Sequence, residues 1–285
     1  MPGTARTVEV GGVRLHVEDT GGTGPPVVFS HGLLLSTRLW DAQVGALRGA
    51  YRCIAYDHRG QGRSDVPRDR CIGMDQLADD AAALVEALGA APCHFVGLSM
   101  GGFVGLRLAA RRPELLRSLT LLETSADPEP PENVPRYRLL NLVARWIGPW
   151  AVASKVMPIL FGRTFLADPA RASDRAAWRA RIAANRHAIW RAVNGVLERA
   201  AVHGELPAVR APTLVMVGEE DVATVPAKAE RIAAGIRGAR LARIPRAGHS
   251  SPVEQPEAVT AALRAFLDQV EGTRGARQGL AQPPR

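Results

Sequence analysis

The segment Gly97-Leu98-Ser99-Met100-Gly101-Gly102 carries the clearest chemical potential in the chain. A serine with glycine two residues to either side fits a strand that turns at once into a helix, because bulkier flanks would collide with so tight a turn. Such a turn presents the hydroxyl from a sparsely populated backbone conformation, which costs about 1–3 kcal/mol. A serine hydroxyl is a poor nucleophile at neutral pH, so it needs a base, and the base needs an acid to orient it. His249, in Gly248-His249-Ser250, and Asp221, in Gly218-Glu219-Glu220-Asp221, supply the two in the chain order serine, acid, histidine. Glu219 and Glu220 compete for the acid position, and the Gly-x-x-Asp spacing favours Asp221.

These residues need a scaffold that brings them together. Alternating patterns at Arg6 to Val10 and Val13 to Asp19, joined by Gly11-Gly12, predict an antiparallel hairpin at a sheet edge. Short apolar runs follow at Pro26 to Ser30, Tyr51 to Tyr56, Cys93 to Leu98, Ser118 to Leu122, Thr213 to Val217 and Arg240 to Ile244, and they read as buried parallel strands. Helical patterns at Leu39 to Leu47, Met74 to Leu88, Ser99 to Arg111, Pro226 to Gly235 and Pro256 to Val270 alternate with them. The result is an α/β chain with a doubly wound, mostly parallel sheet and right-handed crossovers. Ser99, Asp221 and His249 each follow a predicted strand, so all three fall at carboxyl ends, where open α/β sheets place their sites.

One stretch breaks the alternation. Residues 125–205 open with Pro128-Glu129-Pro130-Pro131 and carry only helical patterns, which predicts a helical cap inserted between core segments 1–124 and 206–270. Residues 271–285 lack an apolar period and read as a disordered tail. The cap tryptophans Trp146, Trp150, Trp178 and Trp190 are candidates for the substrate pocket, with packing between cap helices as the competing role.

Composition narrows the function classes. Of 285 residues, 46% are hydrophobic and 22% charged, a balance that builds a large core and excludes global disorder. The net charge of +8 first suggests a nucleic-acid partner. Only Lys155 and Lys228 are lysines, however, and the basic excess is concentrated: residues 136–199 hold twelve basic and three acidic side chains. A basic cap over a serine site is read more economically as a field for carboxylate-bearing substrates, with a solvated helix face as the plainer account. No nucleic-acid partner is therefore expected. Cys53, Cys71 and Cys93 show neither disulfide nor metal spacing, and no residue set reads as a phosphate loop or dinucleotide fingerprint, so neither cofactor nor metal is expected. The amino terminus has no apolar leader and no run is long enough to span a bilayer, which predicts a cytoplasmic protein without a membrane partner.

Taken together, His31-Gly32, the run Asp57-His58-Arg59-Gly60-Gln61-Gly62-Arg63-Ser64-Asp65, the serine turn, Gly218 to Asp221 and Gly248 to Pro256 resemble the α/β-hydrolase fold family over about residues 5 to 269. The resemblance implies that the backbone N–H groups of Leu33 and Met100 form the oxyanion hole, and that their side chains face the acyl pocket. It also makes Glu123 and Asp127 alternative acids, and leaves His31 and His58 as structural hydrogen-bonders. A serine in the turn excludes the branches that use aspartate there. The segments Arg38-Leu39-Trp40-Asp41 and Val253-Glu254-Gln255-Pro256-Glu257 look most like the 3-oxoadipate enol-lactonase and small-molecule esterase group, which adds Trp40 to the expected pocket. That group implies hydrolysis of a carboxylic ester or lactone, with a carboxylate-bearing enol-lactone as one candidate. Cofactor-free perhydrolases or haloperoxidases, C–C bond hydrolases and non-catalytic ligand-binding members of the fold are the alternatives.

Overall fold

The computed structural model describes the backbone of residues 4–280 and the side chains of residues 4–274. Eight strands form one sheet: β1 (Thr4–Val10), β2 (Val13–Asp19), β3 (Pro26–Ser30), β4 (Arg52–Tyr56), β5 (Cys93–Leu98), β6 (Leu116–Leu122), β7 (Thr213–Gly218) and β8 (Arg240–Ile244). Their spatial order is β1-β2-β4-β3-β5-β6-β7-β8. The β1–β2 and β2–β4 pairs are antiparallel, and all later pairs are parallel.

Side-chain alternation divides the sheet between two cores. Val28, Phe95, Val215 and Val217 join one apolar cluster, whereas Val27, Phe29, Val96, Leu98, Leu214 and Met216 join the other. Because both faces are covered, β5 and β7 are buried along their whole length. The edge strand β8 instead exposes Arg240, Leu241 and Arg243, and charge on a free edge discourages pairing with another chain.

The helices are α1 (Asp41–Leu47), α2 (Met74–Ala87), α3 (Met100–Arg111), α4 (Val134–Trp146), α5 (Ala153–Leu160), α6 (Arg163–Ala167), α7 (Ala172–Ala183), α8 (Trp190–Leu197), α9 (Pro226–Gly235), α10 (Ser251–Glu254) and α11 (Pro256–Leu280). Helices α4 to α8, with short 3-10 turns between them, occupy the stretch between β6 and β7. They do not form a separate core: Val156, Leu160, Phe161, Trp178 and Ile182 share a cluster with the sheet residues Phe29 and Leu98. Contact is close at Gly195 of α8, where a Cβ would lie 1.7 Å from the carbonyl oxygen of Ile72.

Helix α11 departs from the sequence expectation. It continues to Leu280, beyond the point at which a tail was expected from residue 271. Tertiary contacts hold the first residue of this extension: Glu271 accepts from Arg117 at 3.1 Å and pairs with His94 Nε2 at 3.2 Å. Residues 281–285 of the expected tail lie outside the described residues.

Candidate active site

The turn after β5 shows why glycine is required there. Ser99 sits at φ 53°, ψ −111°, and α3 begins at the next residue. A Cβ on Gly97 would lie 2.3 Å from the Gly101 carbonyl oxygen, and one on Gly101 would lie 2.1 Å from that of Ser30. The end of β6 and the loop after it hold the serine backbone: its N–H donates to the Leu122 carbonyl at 2.9 Å, and its carbonyl accepts from the Thr124 hydroxyl at 2.8 Å.

His249 and Asp221 meet as their spacing predicts. Nδ1 of His249 lies 2.9 Å from Oδ2 of Asp221. The carboxylate also accepts the Thr224 hydroxyl at 2.7 Å and the N–H groups of Ala223 and Thr224 at 2.8 and 3.0 Å. Burial raises the Asp221 carboxyl, but the facing His249 and the Thr224 hydrogen bonds outweigh it and hold the group below the usual carboxylate range.

The competing carboxylates have other work. Glu123 accepts the Gly218 N–H at 3.0 Å. Burial, followed by the charge of Asp221, pushes Glu123 well above the usual carboxylate range, which disfavours a second negative charge beside Asp221. Asp127 pairs with His203 and Arg231, Glu220 accepts the Thr164 N–H at 2.8 Å, and Glu219 is exposed.

Leu33 follows β3 and Met100 opens α3, so the Met100 N–H precedes the first turn of intrahelical acceptors. Buried Gln61 ties the two segments together. Its Oε1 accepts the Leu34 N–H at 2.9 Å, and its Nε2 lies 3.5 Å from the Met100 sulfur. Asn185 of the cap donates to the Leu34 carbonyl at 3.0 Å, so Leu34, at φ 68°, is held on both sides. His31 stays within the loop framework: its Nδ1 donates to the Gly32 carbonyl at 2.7 Å, and its Nε2 accepts the His58 N–H at 3.1 Å.

Glu254 is a residue whose role the sequence did not disclose. Its Oε2 accepts the N–H groups of Gly248 and Gly162 at 3.0 and 2.8 Å, and its Oε1 accepts that of Ser250 at 3.0 Å. One buried carboxylate thus grips the residues on both sides of His249 and binds them to the cap. The detectable signal was its place in the Val253 to Glu257 segment; the donors, scattered along the chain, gave none. Thr224, the hydroxyl donor to Asp221, was missed in the same way.

Ser99 and His249 line one cavity of about 140 Å3 beneath the cap. Its walls are almost entirely apolar, from Leu33, Leu35 and Leu98 below to Leu140, Val156 and Val193 above. Glu129 and Arg199 also line it but neutralise each other at 2.8 Å.

Of the expected pocket side chains, Leu33 alone is among those lining the cavity. Trp40 is fully buried against Phe29, 5.2 Å between centroids, and Met100 is sealed in the core. Trp178 packs on Phe161, Trp190 stacks against Arg145, and Trp146 and Trp150 face outward. Aromatic residues at helical spacing serve core and pocket equally well, and here packing and surface claimed all five tryptophans.

Burial pushes the thiols of Cys53 and Cys93 up to about 12, which makes them core side chains rather than nucleophiles. Among the described residues, no group of three His, Cys, Asp or Glu is placed to hold a metal ion, and no helix is long and apolar enough to cross a membrane.

Residues 27–262 match the model of the alpha/beta hydrolase family. RutD of Pseudomonas syringae pv. syringae (strain B728a), which carries the name of a carbamate hydrolase, is 31% identical over 85% of this chain and 93% of its own length. Among solved structures, a thermophilic esterase from Thermogutta terrifontis is similar at a TM-score of 0.86 and 33% identity, over 94% of this chain and 99% of that one. The enol-lactonase from Burkholderia xenovorans LB400 is similar at a TM-score of 0.86 and 30% identity, over 92% of this chain and 100% of that one.

Proposed function

The chain belongs to the α/β-hydrolase family and is a hydrolase, and on that premise we propose that it cleaves small-molecule carboxylic esters or lactones with an uncharged, apolar acyl group, through an acyl-Ser99 intermediate. The observation that carries this reading is the placement of Ser99, strained at φ 53°, on the same apolar cavity as a His249 held by Asp221 at 2.9 Å.

Ser99 Oγ attacks the substrate carbonyl carbon as Nε2 of His249 takes the hydroxyl proton. Nδ1–H of His249 donates to Asp221, whose carboxylate stabilises the imidazolium. The oxyanion accepts the N–H groups of Leu33 and Met100, each such donor contributing about 3–4 kcal/mol of transition-state stabilisation. Collapse breaks the ester C–O bond, and the proton passes from Nε2 to the leaving alkoxide. Water, deprotonated by His249, then releases the acid and restores Ser99.

The cavity argues against a carboxylate on the acyl group. Arg199, its lining cation, is already paired, and a second buried negative charge would lack a partner. The carboxylate-bearing enol-lactone is therefore the weaker of the ester and lactone candidates. A hydrolysis panel of short- and medium-chain esters, methyl esters, lactones, carbamates and a ring-cleavage diketone tests the reading. Turnover of neutral esters that is abolished by Ser99→Ala is expected. Equal inactivity of both proteins across the panel, with ligand binding retained, would sink it.

A further inference from the structure

Helix α4 is apolar on two sides. Tyr137, Leu140, Asn141 and Ala144 line the cavity from its inward side. Leu139, Leu142 and Trp146, spaced by three and four residues, share the opposite side, at 62, 53 and 70% exposure, and Ile147 and Trp150, just beyond the helix, are exposed at 54 and 64%. A helix with two apolar sides requires two apolar neighbours, and the described structure supplies one. Single exposed hydrophobes are ordinary on a protein surface; five large ones on one short segment mark an interaction site.

The surrounding charge identifies the neighbour. Residues 134–167 contain five basic side chains and no carboxylate. Arg136, Arg138, Arg145 and Lys155 from this stretch, together with Arg179, are exposed, and none has an ion-pair partner among the described residues. Trp150 and Arg179 line a shared surface depression, and Arg145 lies 5.0 Å over the Trp146 ring. Tryptophan and leucine flanked by unpaired arginines match the interface of an anionic bilayer, where the rings lie at headgroup depth and the guanidinium groups meet phosphate. A second copy fits poorly, since a two-fold contact would press one strongly basic cap against another.

We propose that the outer side of α4, with Ile147 and Trp150, docks the protein on an anionic lipid surface. This replaces the expectation of no membrane partner drawn from the lack of a spanning segment, because docking needs only an interfacial side. Binding itself does not depend on the hydrolase reading. If that reading holds, docking brings the apolar cavity within one helix thickness of the lipid, where apolar esters concentrate.

Co-sedimentation of the full chain with vesicles tests it directly. The protein should pellet with phosphatidylglycerol-containing vesicles, stay in solution with pure phosphatidylcholine, and be released by high salt. Leu142→Gln with Trp146→Gln should cut partitioning at least about tenfold and leave hydrolysis of a water-soluble ester unchanged. Arg138→Gln and Arg145→Gln should each weaken partitioning about fivefold. Failure of the wild type to bind anionic vesicles would overturn the proposal, as would undiminished binding by the double variant. A dimer in solution that Trp146→Gln dissociates would also overturn it and assign the face to a second copy.

Discussion

The carboxyl ends of β5, β7 and β8 fix their reactive groups with several directed bonds to each carboxylate, whereas the cap above them, tied to the core by polar contacts at Gly162, Thr164 and Asn185, shapes the cavity with apolar packing and arginine–aromatic stacking. Asp221 has four donors and Glu254 three, and both carboxylates are buried. The cap instead rests on Val156, Phe161 and Trp178, with Arg145 and Arg191 over Trp190. Directed bonds fix atoms to within tenths of an ångström, as bond making requires. Apolar contacts tolerate exchange of one side chain for another of similar volume, which suits a surface that selects among substrates.

That contrast can be broken or sharpened by substitution. The largest effect is expected for Ser99→Ala, which should reduce ester turnover by roughly 10⁵–10⁶-fold with the fold intact; residual activity near wild type would remove the chemistry from the sheet end. Glu254→Gln should come next. An amide cannot accept at both ends, so one N–H beside His249 or from Gly162 loses its partner. kcat is then expected to fall roughly 10–100-fold, with KM within about twofold. A change confined to KM would show that the clamp serves the cap rather than the histidine.

Leu140→Ala tests the cap from inside. Enlarging the cavity should shift the kcat/KM ratio toward longer acyl chains by about tenfold, the scale of one to two methylene groups in an apolar pocket, with short-chain kcat unchanged. An equal loss for all chain lengths would mean that the cap positions the reacting atoms as well. The smallest effect concerns pH. The folded-state titration of Glu123 is raised, so the wild type loses stability as pH rises from the ordinary carboxylate range toward that value. Thermal melting of Glu123→Gln should match wild type at acid pH and exceed it as pH rises above the ordinary carboxylate range. A constant offset would place the ionisation elsewhere.

Much of this contrast follows how the two regions are encoded. Runs such as Val-Val-Phe in β3 and Leu-Val-Met-Val in β7 announce buried strands, and a residue just beyond such a run must lie at the sheet end. Ser99, Asp221 and His249 could therefore be placed by local pattern alone. Cap contacts follow no local pattern. Whether a tryptophan lines a cavity or packs behind it depends on how helices distant in sequence are oriented, and Trp40, Trp178 and Trp190 all turn away from the cavity. The basic excess of the cap was countable from the sequence, but its direction was not: the unpaired arginines point outward and Arg199 inward, already neutralised. The continuation of α11 past Val270 was hidden for a similar reason, because Glu271 is anchored by Arg117 and His94 from distant strands.

The meeting of Gly162 and Gly248 bears on how this enzyme could be re-engineered. A Cβ on Gly248 would lie 2.2 Å from the Gly162 nitrogen, and Glu254 Oε2 bonds both backbones. A chimaera that grafts a foreign lid in place of residues 134–199 would discard half of that joint. The transplanted lid would have to bring its own glycine and N–H to the same spot, or the imported specificity would arrive with a misaligned histidine.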